Sequence, residues 1–253
     1  VGIMALLVLT LIRGDLLDQW QASIPADAPN RFLVNVHPDQ VSSLQTFFQQ
    51  HDEKVPNIYP MIRGRLIEIN NQKVNSDSFQ NRGGKQLLSR ELNLSWAIKL
   101  SSHNKLISGE WWTNQNLTSP QFSIEKSVAE NLKLNLGDRL KFQIADQTVE
   151  ASITSIREVD WGSFRANFYV IASPEVLKEM PTTYMSPFYL PAEKVLLLNE
   201  LVNTFPNITV IDVAVIMNHL RQIINRVTLA VEYVFLFTVL SGLMVLFAGI
   251  QST

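Results

Sequence analysis

The chain contains no cysteine among its 253 residues. This absence excludes disulfide bonds, thiolate zinc sites and cysteine nucleophiles. An excess of positive charge is also missing, because 21 Lys and Arg are set against 23 Asp and Glu for a formal net charge of −2. A nucleic-acid partner would usually leave a basic stripe, so no nucleic acid is expected as a partner.

Motifs for catalysis, nucleotides and metals are missing as well. Gly83-Gly84-Lys85 lacks both the earlier glycine and the following Ser or Thr of a phosphate-binding loop, since Phe79 and Gln86 stand there. No G-x-S-x-G stretch occurs, and the four histidines show no ligand spacing. The sequence therefore predicts no catalytic residue, no cofactor-binding residue and no metal ligand.

Apolar runs stand at both ends of the chain. Val227 to Ile250 is apolar except for one charge, Glu232, and a membrane-spanning helix needs about 20 such residues. Val1 to Ile12 is shorter, and we interpret residues 1–24 as the end of a truncated transmembrane helix with its exit segment. Two membrane segments are thus predicted to bracket a polar insert.

The charges flanking these runs do not fix the orientation of the insert. Arg13, Arg221 and Arg226 lie on the insert side of the apolar runs. By the positive-inside rule, these charges would place the insert in the cytoplasm. The rule is weak for loops longer than about 60 residues, so the charges leave the side of the membrane open.

The insert begins and ends with the same predicted pattern of strand, helix and strand. The first unit, residues 25–73, has a strand at Arg31 to Val36, a helix opened by Pro38 and a turn at Asn70 to Lys73. The second, residues 184–212, has a strand at Ser186 to Pro191, then a helix and a strand. Two such units can form a four-stranded sheet with both helices on one face, a ferredoxin-like arrangement.

Between these units, residues 74–183 are predicted to be β-rich. A short helix is expected to end near Gly137, and a hairpin to turn at Ala145 to Gln147. From Ile211 a helical pattern continues into the apolar run, so residues 213–253 are predicted to be a stalk helix that becomes a transmembrane helix. The predicted fold class is α+β: a ferredoxin-like subdomain with an inserted β-rich subdomain and long helices.

The stretch from Arg157 to Pro174 is a candidate functional segment, because Asp160, Trp161 and Arg165 lie close together in the sequence there. A catalytic role for Ser163 would need a base that only folding could bring near. A tight turn in which Asp160 and Ser163 satisfy turn amides, and which Trp161 and Phe164 hold in place, is the favoured interpretation. The three residues are then candidates for contact or conformational roles.

Three other charged residues are candidates of the same kind. Arg63 and Arg65 are predicted on one face of a strand, where they would bind an anionic lipid group or a partner's acids, although a solvated face is favoured. Glu232 would reach the membrane interface or line a helix bundle.

Several stretches together resemble a known family: "LIRGDLLDQWQASIPADAPNRFLVNVHPDQV", "IYPMIRGRL", "SRELNLSW", "SGEWW", "LKLNLGDRL", and "REVDWGSFRANFYVIASP" followed by "PTTYMSPFYLP". The chain is similar over nearly its whole length to the FtsX-like permeases of bacterial ABC transporters, of the MacB/LolC type. It most resembles the second periplasmic domain, with flanking transmembrane helices, of the large subgroup that has two such domains. The resemblance implies a porter-type subdomain with an inserted sabre-type subdomain.

The resemblance also implies a function. The chain would belong to a permease subunit in the bacterial inner membrane, with residues about 25–212 extracytoplasmic. ATP would be bound by a separate cytoplasmic subunit, and the chain would have no enzyme site of its own. Its domain would relay ATP-driven movement to export or extract a hydrophobic substrate such as a lipoprotein or lipid, with the membrane and a periplasmic protein as further partners. The alternatives are a signal transducer that regulates a periplasmic enzyme, and a membrane-anchored hydrolase.

Overall fold

The computed structural model of the chain describes residues 28–113, 119–163 and 165–251. The predicted end of a transmembrane helix at residues 1–24 lies outside these residues. Residues 29–211 form one compact unit. A long helix that follows Asp212 belongs to a second unit and is described separately.

The elements of the chain alternate between strands and short helices. In chain order they are β1 (Arg31–Val36), α1 (Val41–Gln50), β2 (Tyr59–Ile69), β3 (Gln72–Lys73), α2 (Arg82–Leu88), β4 (Leu92–Trp96), β5 (Asn104–Gly109), β6 (Gln121–Glu125), α3 (Lys126–Leu132), β7 (Arg139–Ile144), β8 (Gln147–Val159), β9 (Val170–Ala172), α4 (Pro174–Leu177), β10 (Thr183–Phe188), α5 (Val195–Thr204), β11 (Thr209–Asp212) and α6 (Val213–Gln251). The described residues therefore form an α+β fold with a strand-rich core.

The strands form one connected sheet in the order β11-β1-β10-β2-β4-β9-β6-β8-β5. In addition, β3 pairs with β2, and β7 pairs with both β2 and β8. β2 is the strand that joins the two ends of this sheet. Its first residues, Tyr59 to Met61, pair with β10, while Ile62 to Gly64 pair with β4 and Arg65 to Ile69 with β7. One strand thus belongs to two differently built regions.

The first region is a helix-backed core. α1 and α5 supply buried side chains to it, because Leu44, Phe47 and Phe48 recur at helical spacing on α1 and Leu201 lies on α5. The Phe48 ring meets Phe188 of β10 edge to face, with centroids 5.3 Å apart. The predicted helices and flanking strands are confirmed here, except that β10 occupies Thr183–Phe188 and not Ser186 to Pro191.

The second region is a strand core, built from the later part of β2, β4, β6 to β9, and helices α2 to α4. Its tight turns follow the predicted hairpins. Asn70 and Asn71 both take left-handed backbone angles, with φ of 50° and 64°, and Ala145 does so with φ of 50°. Asparagine tolerates this conformation better than most residues. The chain turns at residues 70–71 and 145–146, so both predicted turns are confirmed.

The predicted end of the short helix near Gly137 is wrong. α3 ends at Leu132, because Lys133 adopts a left-handed conformation with φ of 54°. The Leu134 N–H then donates to the Ala129 carbonyl at 2.8 Å, which closes the helix. Gly137 serves a later turn, where its N–H donates to the Ile153 carbonyl at 2.8 Å.

The long helix α6 begins directly after β11, as the unbroken helical pattern predicts. The Asp212 carboxylate accepts a hydrogen bond from the Val215 N–H at 3.0 Å, so it caps the helix start. The 39 residues of α6 extend about 58 Å at 1.5 Å per residue. Several large apolar side chains on α6 are exposed, including Tyr233, Phe237 and Met244.

Among the residues that the structure describes, no helix meets both the length and the apolar character required for crossing a membrane. The membrane span predicted within Val227 to Ile250 is therefore not confirmed.

Candidate functional site

The stretch that follows β8 forms a closed turn. A single turn of 3-10 helix covers Trp161 to Ser163. The Asp160 carbonyl accepts hydrogen bonds from the Ser163 N–H at 3.3 Å, from the Ser163 Oγ–H at 2.7 Å and from the Asn167 side-chain amide at 3.1 Å. Asp160 thus anchors the turn through its backbone.

Aromatic and cationic side chains form a row beside this turn. Trp161 is 48% exposed, and its ring lies 5.0 Å from that of Tyr169. The Arg90 guanidinium lies 5.9 Å from the centre of the Tyr169 ring, within cation–π range. Phe164, which was predicted to hold the turn together with Trp161, lies outside the described residues.

Arg165 ties the turn to the loop that precedes β5. Its Nη1 contacts Nε2 of His103, and the Ser102 Oγ lies 3.2 Å from the same nitrogen. Burial lowers the pKa of His103, and the charge of Arg165 lowers it further, while Asp160 opposes both. A neutral imidazole can accept a hydrogen bond from the Arg165 guanidinium N–H, so this contact joins the two segments.

Arg157 lies fully buried behind the turn, on β8. Its Nη1 donates to Asn104 Oδ1 at 2.7 Å, and its Nη2 donates to the Phe168 carbonyl. Burial lowers the pKa of Arg157 to about 10, with nearby Glu125 opposing, so the guanidinium remains charged at neutral pH. It holds the start of β5 and the approach to β9 together.

Sequence reasoning did not single out Arg157, His103 or Asn104. For Arg157 a signal existed, because it shares the alternation of Ile153 and Ser155, which face inward along β8. The contact of Arg165 with His103 had no signal, since residues 62 positions apart meet only through strand pairing.

The other predicted candidates lie elsewhere. Arg63 and Arg65 are exposed on one face of β2, alternating with buried Ile62, Gly64 and Leu66. Glu232 falls within α6, and its side chain is outside the described residues. The structure brings together Asp160, Trp161 and Arg165, and it does not bring Arg63 or Arg65 into that turn.

The turn has the geometry of a structural corner. A nucleophilic serine donates its proton to a base, whereas the Ser163 hydroxyl donates to a backbone carbonyl. Within residues 28–113, 119–163 and 165–251, no group of three or more His, Asp or Glu side chains is arranged to hold a metal ion. The exposed aromatic row and the cations beside it are suited to contact with another molecule.

Comparison with known proteins gives one relative that covers nearly the whole chain. The chain is 32% identical over 248 residues to the ABC transporter permease YbbP of Escherichia coli, a match that includes 98% of this chain. The chain spans 30% of the length of that relative. No protein-family model matches the chain.

A solved structure also aligns with the chain, a domain of a protein designated a permease from Porphyromonas gingivalis. It covers 71% of this chain and 78% of its own, at 12% identity and a TM-score of 0.32.

Proposed function

We propose that this chain is part of the permease subunit of an ABC transporter. The observation that carries the proposal is the similarity to an ABC transporter permease across 98% of the chain. Within the permeases we assign it to the FtsX-like, MacB/LolC-type group, on the motifs quoted from its sequence.

The two regions of the sheet support a division into subdomains of that group. The strand order β11-β1-β10-β2, with α1 and α5 packed into one core, supports the proposal of a ferredoxin-like porter subdomain. The strands and helices between β2 and β10 then form the inserted, sabre-type subdomain. The exposed turn at Asp160 belongs to this insertion.

The chain is further proposed to lie in the bacterial inner membrane, with residues about 25–212 extracytoplasmic. Exposed apolar side chains such as Val234, Phe237 and Met244 on α6 support contact with lipid, because monomeric soluble proteins rarely expose large contiguous apolar patches. The helix begins at Val213, one residue after β11 ends. We propose that a movement of the helix reaches the sheet through this direct connection in the chain.

In this mechanism the chain binds no ATP itself. A separate cytoplasmic subunit binds and hydrolyses ATP, and the resulting movement passes through α6 to the extracytoplasmic domain. That domain acts on a hydrophobic substrate such as a lipoprotein or lipid. A permease subunit of this kind has no enzyme site.

The experiment that tests the proposal is purification of the full-length protein from its native membrane in a mild detergent. We expect a stoichiometric partner with a nucleotide-binding P-loop and measurable ATP hydrolysis. A folded preparation with no such partner would contradict the proposal. A periplasmic enzyme that co-purifies, with no exported substrate, would favour signalling across the membrane.

A second test addresses the relay. Insertion of two glycines beside Asn218 interrupts α6 with residues that destabilise a helix by about 1 kcal/mol each. We expect the complex to assemble but ATP hydrolysis to lose its coupling to function. Unchanged transport in this variant would refute the mechanical role of the helix.

A further inference from the structure

A cavity of about 560 Å³ lies between the loop that follows β4 and the segment that leads into β9. Residues 99–101 of the loop and residues 166–168 of the segment line it, together with Asn104 at the start of β5. We call it the asparagine cavity, after Asn104 and Asn167 in its lining. Ligand sites usually occupy about 300 to 1,000 Å³, so this space has the size of a binding site.

One side chain of the asparagine cavity has a buried acceptor without a partner. The Asn167 side-chain NH2 donates to the Asp160 carbonyl at 3.1 Å. Because a carbonyl can only accept, this bond fixes which end of the amide is the oxygen. That oxygen, Asn167 Oδ1, is buried and has no hydrogen-bond partner among the described residues. An unpaired buried acceptor costs about 1 to 3 kcal/mol, so a donor on a bound molecule would stabilise this wall.

Asn104 offers the opposite polarity. Its Oδ1 accepts a hydrogen bond from Nη1 of the buried Arg157 at 2.7 Å, and a guanidinium can only donate. The other end of the Asn104 amide is therefore Nδ2, a donor. The same guanidinium also donates to the carbonyl of Phe168, the residue after Asn167. One planar group thus fixes the two asparagines as neighbours, the first as a donor and the second as an acceptor.

Apolar side chains form another part of the lining. Phe168 and Ile171 line the cavity and belong to a small buried cluster with Met61 and Trp112. Tyr59, which also lines the cavity, packs against the same cluster. The apolar body of a ligand would bury its surface here, at about 25 cal/mol per Å² of apolar area.

The polar wall favours a neutral ligand. A carboxylate would set its acceptor oxygens beside the unpaired acceptor of Asn167, which needs a donor. An ammonium group could donate to Asn167, but it would lie close to the buried positive charge of Arg157, where like charges repel. Lys99, the charged side chain of the described lining, is exposed to solvent, so it selects weakly among ligands.

We propose that the asparagine cavity binds a small neutral carboxamide with an apolar body. The N–H of the ligand donates to Asn167 Oδ1, its carbonyl accepts from Asn104 Nδ2, and its body lies on the apolar cluster. The chain pairs amides reciprocally elsewhere, because the side chains of Gln40 and Asn207 exchange two hydrogen bonds of 2.7 Å. The inference goes beyond the proposed function and does not rest on it.

Three probes with the same apolar body test the proposal: 3-phenylpropanamide, methyl 3-phenylpropanoate and 3-phenylpropanoate. Because the chain contains no cysteine, Leu100→Cys gives it a single thiol in the cavity lining, and protection of this thiol from maleimide measures binding. The ester and the carboxylate lack the N–H, so each should need about a tenfold or more higher concentration than the amide to halve the labelling rate. Labelling of the control variant Lys133→Cys, on the exposed turn after α3, should not change.

A substitution in the same background tests the donor. Asn104→Asp keeps an oxygen for Arg157 and removes the N–H donor, so it should weaken binding of the amide about tenfold or more. Asn57→Asp adds the same charge at an exposed position of the lining and should leave binding unchanged.

The comparison of amide with ester requires no change at the asparagines, so it decides the proposal even if Asn104→Asp lowers the melting temperature. Equal binding of the amide and either analogue, equal loss in the two variants, or no protection by any probe would overturn the proposal. The last result would indicate that water alone pairs with Asn167 Oδ1.

Discussion

The helix-backed core and the strand core differ in what they bury. The first is closed by apolar side chains from α1, α5 and their strands, with Ser186 and Arg31 as its buried polar residues among those described. The second region adds a set of buried polar and charged side chains: Ser95, Asn104, Gln121, Ser123, Glu125, Ser155, Arg157 and Ser173.

Several of these buried groups have defined partners. The Ser155 and Ser123 hydroxyls are hydrogen-bonded at 2.8 Å, and the Glu125 carboxylate caps α3 at the Ser127 N–H, 2.9 Å away. A shift in strand register would separate these partners, and a buried polar group is costly to leave unpaired, so the strand core tolerates few alternative registers. The helix-backed core is specified mainly by the helical spacing of its apolar side chains and by the volume that they fill.

Removal of the buried guanidinium should give the largest effect. Arg157→Ala leaves the Asn104 and Phe168 acceptors without their donor, and each buried acceptor left unpaired costs about 1 to 3 kcal/mol. The free energy of unfolding in urea measures this. Arg63→Ala, on the exposed face of β2, is the control and should stay within about 0.5 kcal/mol. Similar values for the two arginines would remove the distinction between the regions.

Truncation of one leucine in each core tests whether the regions unfold together. Leu44 and Leu94 are both fully buried, so Leu44→Ala and Leu94→Ala should each cost about 2 to 5 kcal/mol. Since β2 belongs to both cores, each variant should shift one common transition. Two separate transitions in circular dichroism would show that the regions are independent.

Gly64 lies at the point where β2 passes from β4 to β7. A Cβ there would come within 2.6 Å of Leu94 Cδ1 and 3.2 Å of Ile144 Cγ1, so Gly64→Ala should overpack the strand core by about 1 to 3 kcal/mol. Gly242→Ala is the matched control, because nothing lies within 4 Å of its added Cβ. An equal melting temperature for the two variants would contradict the close approach.

Two histidines should give the smallest effects, with opposite signs. A hydrogen bond to the Phe47 carbonyl, aided by Glu200 and Glu53, raises the pKa of His51 beside the helix-backed core. Its contribution is present below the unfolded pKa of about 6.5 and is lost as pH rises through the folded value. His103, with a lowered pKa, contributes above about 6.5 and loses this as pH falls through its folded value.

Melting curves of His51→Gln and His103→Gln, each subtracted from the parent chain between about pH 5 and 8 around the usual histidine pKa, separate these contributions. The His51 difference should shrink as pH rises, and the His103 difference should shrink as pH falls. Slopes of the same sign would argue that the histidines do not report on different surroundings.

Local signals in the sequence predicted the elements better than their assembly. The periodicity of Leu44, Phe47 and Phe48, and the asparagines at the hairpin turn, are visible because they act within a few residues. The pairing of β4 with β9 or of β5 with β8 has no such signal. Lys133 ends α3 in a conformation that its residue type does not favour, which explains the misplaced helix end.

The same contrast applies to the candidate site. The turn at Asp160 follows from its own short sequence, with Ser163 and Gly162 next to it. Its attachment to His103 joins segments that are distant in sequence. This contact could not be derived without the sheet.

The register of β1 has a consequence for biosynthesis. Arg31 pairs with Phe188 and Val36 with Tyr184, so β1 leaves the ribosome long before its partner strand exists. The strand core, whose members lie between β2 and β9, has nearly all its strands earlier. Since domains fold as their parts emerge and distant contacts form slowly, the strand core is expected to fold first. The helix-backed region would close around β2 only after β10 and β11 have been made.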